Sequence, residues 1–157
     1  MPLPLVPLAL AAPILLWIAW TDFSRMRIRN SAVVAALLVF VLTVPVIGLS
    51  EAILRLLAAA AVFVAGFAMF AARMIGGGDV KMGAALLLFI PTGTYALFAF
   101  IFSAAMLLGL AVILSLRAIP PMRRAGPASL RAKGTMPMGL ALGLSGVAHL
   151  GVLALLS

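Results

Sequence analysis

Six apolar runs, five of them close in helical length to the thickness of a bilayer, are joined by short connections that hold most of the charge. The runs cover 3–20, 31–49, 52–72, 79–93, 95–116 and 135–156. A helix needs about 20 predominantly apolar residues to cross a hydrocarbon core of about 30 Å. Lipid offers no partner for an unpaired backbone, so such runs can cross only as helices or as closed barrels. Long continuous apolar runs, without the alternation of a barrel strand, predict helices. The expected fold is therefore all-α: a polytopic membrane helical bundle of about six transmembrane helices, forming one membrane-embedded domain over 1–157. Composition agrees. Of 157 residues, 66% are apolar and 9% are charged, against about 45–50% and 25% in soluble domains.

The charge pattern sets an expected orientation. Lys and Arg number 11 against 3 Asp and Glu, a net charge of +8. Such an excess on a soluble protein would suggest nucleic acid. Here the basic residues lie between spans, which the positive-inside rule explains, so no nucleic-acid partner is expected. If all six runs cross, Arg25, Arg27, Arg29, Arg73, Lys81, Arg117, Arg123, Arg124, Arg131 and Lys133 fall on one side and only Arg55 on the other. Both termini are then extracytoplasmic, and the basic side meets anionic lipid. No basic residue precedes the first run, so it reads as a retained span rather than a signal peptide. Trp17 and Trp20 fit an aromatic belt at its inner end. The run 79–93, about 22 Å as a helix, is short for a crossing. The positive-inside balance still favours counting it as one. The stretch 117–133 mixes Pro, Gly, Arg and Ser and reads as a mobile cytoplasmic loop. Gly139 and Gly143 form a small-xxx-small pattern, expected to serve close packing within the bundle.

The chain has no cysteine and a single His, His149. A thiolate or His-based metal site is not expected, nor is a cofactor. His149 is expected to hydrogen-bond a neighbouring helix. That leaves three acids. Glu51 precedes Arg55 by four residues and reads as a surface pair worth a few tenths of a kcal/mol. Asp22 and Asp79 are different. Each lies at the inner end of an apolar run, where ionisable groups are costly and are functional candidates. Although 57 positions apart, the expected topology puts both at one membrane face. Two carboxylates held close share one proton, so that one acts as base and the other as acid. Two separate interfacial acids balancing nearby Arg and Lys remain the alternative. Gly76, Gly77 and Gly78 immediately precede Asp79, and glycine permits unusual backbone angles and close approach of another chain. A flexible turn with Asp79 as N-cap is the simpler reading of the same residues.

These residues carry a resemblance. Asp22 followed by Arg25, Arg27, Ile28 and Asn30, and then Gly76-Gly77-Gly78-Asp79-Val80-Lys81, is similar to the type IV prepilin peptidase family, aspartic proteases of the membrane with a G-x-G-D motif. The family's basic stretch ends Ile-Pro-Asn, where this chain reads Ile28-Arg29-Asn30. Its Pro-Tyr-Gly near the C-terminus corresponds to Pro137-Met138-Gly139. The resemblance implies that Asp22 and Asp79 are the catalytic pair. It implies that Gly76, Gly77, Gly78, Lys81, Asn30, Pro137 and Gly139 shape the loops or bind substrate. Larger members add a four-cysteine loop linked to N-methylation. This chain has none and resembles the short peptidase-only members of Flp-type (Tad) pili. The implied activity is removal of a short basic leader from a prepilin at the cytoplasmic face of a bacterial inner membrane, without methyl transfer. Pilus assembly machinery is a possible partner by the same resemblance.

Residue by residue, Lys81 reads as a headgroup anchor, Asn30 as the cap of the second helix, and Arg25 as a partner of Asp22. A small proton-coupled transporter and a non-catalytic assembly scaffold for pili or secretion are the competing functions. Transport would favour acids near the midplane. Proteases of the presenilin type carry Pro-Ala-Leu where this chain has Pro137-Met138-Gly139.

Overall fold

In the computed structural model, which describes residues 3–132 and 135–156, the chain is built of helices. After a 3-10 turn at Leu3–Leu5 come α1 (Val6–Arg25), α2 (Asn30–Ile47), α3 (Leu49–Ala71), α4 (Gly77–Leu87), α5 (Tyr95–Ala118), α6 (Pro120–Ala125), α7 (Ala128–Arg131) and α8 (Met138–Leu156). Five helices among the described residues, α1, α2, α3, α5 and α8, are long and apolar enough to cross a membrane. The protein is an all-α multi-pass membrane bundle. Its lipid-facing surface is correspondingly apolar, with Leu42, Val64, Phe100 and Leu107 all exposed.

The bundle is organised around α1, α4 and α8. The closest pairing is α1 with α8, and glycines explain it. A Cβ on Gly143 would collide with the Leu15 carbonyl, and one on Gly146 would lie 2.6 Å from Leu15 Cδ1. Side chains this small let two backbones approach, which is the main source of helix association in lipid. The small residues of α8 thus pack within the bundle.

Helix α4 is the buried element. It has 11 residues, about 16 Å of helix. Its chain then tightens through bonds from Leu88 N–H to Ala85 O, Phe89 N–H to Leu86 O and Ile90 N–H to Leu87 O, of 3.3, 3.0 and 3.2 Å. Such i→i+3 turns rise more per residue than an α-helix. The short run thereby reaches from Asp79 at one end of the bundle to Thr92, which bonds Glu51 at the other. Val80, Met82, Leu86, Phe89 and Ile90 are buried along it. Protein, rather than lipid, surrounds this shorter segment, which is where tightened backbone at membrane depth is tolerated.

Three boundaries differ from the sequence reading. The first helix continues past residue 20 to Arg25, so Asp22 lies in its last turn. It ends where Met26 adopts a left-handed φ of 52°, with its N–H bonded to Asp22 O. The junction of α2 and α3 is the single residue Gly48 at φ 82°, a left-handed conformation that glycine adopts without the Cβ penalty. The stretch expected as a mobile loop instead folds into α6 and α7, with Ser129 and Leu130 buried. Arg117 holds it by donating to the carbonyls of Ser129 (3.0 Å) and Thr135 (2.7 Å). The side chain of Arg123, and Lys133 as a whole, lie outside the described residues.

Candidate active site

Asp22 is 5% exposed, among the few buried polar side chains of the bundle. Its Oδ2 accepts a 2.7 Å hydrogen bond from the backbone N–H of Gly139, the second residue of α8. The first N–H groups of a helix have no intrahelical partner, so they are natural donors to a carboxylate. Gly139 allows this approach because it has no side chain. A Cβ there would lie 2.8 Å from Ile28 Cδ1, 2.9 Å from Asp22 Cβ and 3.0 Å from Asp22 Cγ. Pro137, buried just before α8, sets up this helix start.

Asp79 sits in the first turn of α4, where an acid is favoured by the helix dipole. It is not the cap. Gly76 holds that position, with extended backbone, and the Asp79 N–H donates to Gly76 O at 3.1 Å. The carboxylate folds back over Gly76, where a Cβ would lie 2.8 Å from Asp79 Oδ2. The three glycines contribute space rather than unusual angles, because none of them has a positive φ. A Cβ on Gly77 would meet the Phe70 ring at 3.3 Å, and one on Gly78 would meet Ile28 Cβ at 3.2 Å.

Ile28 is the residue that joins the two halves. It touches Gly139 beside Asp22 on one side and Gly78 beside Asp79 on the other. Both carboxylates therefore lie around Ile28 at one end of the bundle. Nothing in the sequence reading marked Ile28 as this spacer. The signal was present only as an apolar residue inside a basic connection.

The neighbouring polar residues behave differently from expectation. Asn30 begins α2 but does not cap it, since Arg29 is the N-cap and no side chain bonds there. Instead its Oδ1 accepts a 3.3 Å hydrogen bond from Lys81 Nζ, tying α2 to α4 at the exposed margin of the site. Arg25 forms no ion pair with Asp22. The Glu51–Arg55 pair, expected at the surface, is at the opposite end of the bundle, and Arg55 is fully buried. No cluster of three or more metal-ligating side chains occurs among the described residues.

A groove of about 600 Å³ leads away from Asp79. It runs between α3 and α5 over a floor of α4 and α8, and its walls are apolar. No local pattern marks it, because its mostly apolar lining is drawn from four helices distant in sequence.

A polytopic helical bundle that buries one acid, half-buries a second and sets an apolar groove beside them defines a membrane protein with a candidate two-carboxylate site. The family model described as type IV leader peptidase family matches residues 9–114, and the chain belongs to that family. It is therefore a peptidase of the type IV leader class, for which the substrate class is a prepilin. The matched residues include Asp22 and Asp79 but not α8, whose Gly139 holds Asp22. No curated protein and no solved structure matches the chain.

Proposed function

We propose that this protein is an aspartic endopeptidase that removes the short basic leader from Flp-type prepilins at the cytoplasmic face of a bacterial inner membrane. The observation that supports this reading is that Asp22 and Asp79, from separate helices, both lie around Ile28 at one end of the bundle, with an apolar groove leading from Asp79. Two carboxylates within each other's field hold a single proton as a unit. In the proposed reaction the ionised member takes a proton from water as the water oxygen bonds to the scissile carbonyl carbon. The protonated member gives its proton to the carbonyl oxygen. The resulting diol then collapses: one of its hydroxyls returns a proton to the ionised member as the C–N bond breaks and the protonated member gives its proton to the leaving amine, so the pair again holds a single proton. Aspartic pairs elsewhere divide acid and base work in this way.

Gly76, Gly77, Gly78 and Gly139 are assigned to shaping the site by keeping side chains out of it. Pro137 starts the helix that donates to Asp22. Asn30 and Lys81 tie α2 to α4 at one margin of the site. The orientation follows from charge: Arg25, Arg27, Arg29, Arg73 and Lys81 cluster at the Asp22–Asp79 end, whereas Arg55 lies at the other. The positive-inside rule then puts the carboxylates at the cytoplasm and both termini outside. Transport fits less well, because both acids lie at one end rather than near the middle. Methyl transfer is not part of the proposed activity.

Co-expression with a short Flp-type prepilin tests the proposal, with cleavage followed by gel shift and by the mass of the new N-terminus. The wild type is expected to cut, while Asp22→Asn and Asp79→Asn are each inactive yet inserted. Mutants that cut like the wild type would leave the two acids as interfacial charges only. A wild type that leaves several prepilins intact would turn attention to the scaffold and transport readings.

A further inference from the structure

We infer that the groove between α3 and α5 is the seat of the substrate's own membrane helix, entered sideways from lipid. The inference rests on the proposed peptidase reading and adds where and how the substrate is recognised. Helix α3 packs on α4 and helix α5 packs on α8, whereas α3 and α5 share no packed seam. Ala58, Val62, Ala65 and Met69 of α3 recur at helical spacing along one wall. They cover about three turns. Phe98 and Phe102 of α5, stacked at a centroid distance of 6.2 Å, form the other wall. Small side chains on one wall let a helix approach closely, and dispersion against the aromatic wall adds to it.

Two observations select a substrate helix as the occupant. Asp79 is the charged residue of the lining, so the apolar groove runs directly into the proposed reaction centre. A helix seated there delivers the chain that emerges from it to the carboxylates. The surface charge provides the second argument. A basic leader meets Arg25, Arg27 and Arg29, all exposed, together with exposed Lys81 at this end. Of the three acids in the chain, Glu51 is engaged by Arg55 and Thr92 at the far end, leaving only Asp22 and Asp79 here. Like charges repel the leader, so the attraction that holds a precursor must come from its apolar segment. A peptide bond within a helix is also shielded by its own hydrogen bonds. Seating the helix in the groove leaves the extended leader junction at the depth of Asp79.

The absence of cysteine makes the test direct. Single cysteines are placed at Val62 or Ala65 in the groove, and at Val64 or Phe67 on other faces of α3. Each carries Asp22→Asn, so that substrate stays intact. After labelling with a maleimide photocrosslinker, each protein is reconstituted in liposomes. The probe is a synthetic precursor with a short Lys/Arg leader ending in Gly, followed by about 20 apolar residues. Adducts at Val62 and Ala65 are expected to exceed those at Val64 and Phe67 by about tenfold, as for a specific rather than a diffusional contact. In the Asp22-containing protein, Ala65→Phe and Val62→Phe, at exposed positions that do not disturb the core, are expected to lower cleavage of this precursor about tenfold by overfilling the site. Their melting temperatures should match the wild type.

Equal adducts on all faces of α3 would mark the groove as a lipid-filled seam and overturn the inference. Adducts to a second copy of the protein in place of the precursor would make it a dimer contact and overturn it equally. Wild-type cleavage with undiminished cleavage by both Phe variants would sink the groove assignment alone. Failure of the wild type to cut, with groove adducts still formed, would instead sink the peptidase reading and leave a helix-binding protein.

Discussion

The two ends of the bundle start from the same difficulty, charged side chains taken out of water, and resolve it in opposite ways. At the Glu51 end the groups are satisfied. Arg55 Nε donates to Glu51 Oε1 at 2.9 Å, Nη1 to Leu88 O at 3.4 Å and Nη2 to Pro4 O at 3.5 Å. Glu51 also accepts from Thr92 N–H at 3.0 Å and from Thr92 Oγ1 at 2.9 Å. Opposite charges meet, and the carbonyl left open where α4 tightens finds a donor. Nearby, Thr94 Oγ1 and His149 Nε2 are 3.0 Å apart, so His149 is tied to the turn before α5. At the other end, two acids lie around Ile28, and Asp22 is held by backbone N–H groups of Gly139 and Leu140 at the start of α8. The first arrangement locks four segments together. The second gives its acids backbone donors but no ion pair among the described residues, which suits the reactive pair proposed above.

This contrast can be broken most directly at the carboxylates. Asp22→Asn and Asp79→Asn should each lower prepilin cleavage by at least about 10²–10⁴-fold, the usual contribution of a positioned acid or base. Thermal melting in detergent should be undiminished for Asp79→Asn, because one of two like charges is removed. A variant that lost activity only by unfolding would show the opposite pattern. At the other end, Arg55→Met should act on stability. It removes the countercharge of Glu51, which keeps its bonds from Thr92, and leaves the Leu88 carbonyl without its donor, costing about 2–4 kcal/mol. The melting temperature should fall, and Glu51→Gln added to Arg55→Met should recover part of the loss. If Arg55→Met melted like the wild type, the network would have no stabilising role.

A third substitution joins geometry to chemistry. Gly139→Ala forces a methyl against Ile28 and Asp22, with an overpacking cost of about 1–3 kcal/mol. Cleavage should drop about tenfold or more while the protein remains inserted. Gly151→Ala is the matched control, since a Cβ there meets nothing within 4 Å. The smallest effect should come from Lys81→Ala. Its 3.3 Å bond to Asn30 is exposed, so stability should change by no more than about 0.5 kcal/mol. A larger loss would mean that this margin helps hold α4 in place.

Much of this was legible from residues 1–157 read in order. The six apolar runs correspond to α1 to α5 and α8, and the pairing of basic connections put Asp22 and Asp79 at one end. The misreadings share a cause. Glu51–Arg55 looked like a surface pair because i,i+4 spacing describes a helix face and not what covers it. The cover is supplied by Pro4, Leu88 and Thr92, distant in sequence. Asn30 looked like a cap because its local position suits one, but Lys81 of α4 competes for the same oxygen. The connection 117–133 is loose by composition, but Arg117, in the last turn of α5, tethers it through the carbonyls of Ser129 and Thr135.

The sequence by itself determined the helical class, the membrane setting and the position of two acids at the ends of apolar runs. Each depends on hydrophobic run length and on charge at its ends, which are properties of contiguous residues. Only the tertiary structure decided that Ile28 spaces the two halves of the site, that Gly139 donates to Asp22, and that a groove opens beside Asp79. Those features depend on which surfaces approach within a few ångströms across helices. That approach is set by the packing of small side chains from separate parts of the chain, and no local pattern encodes it.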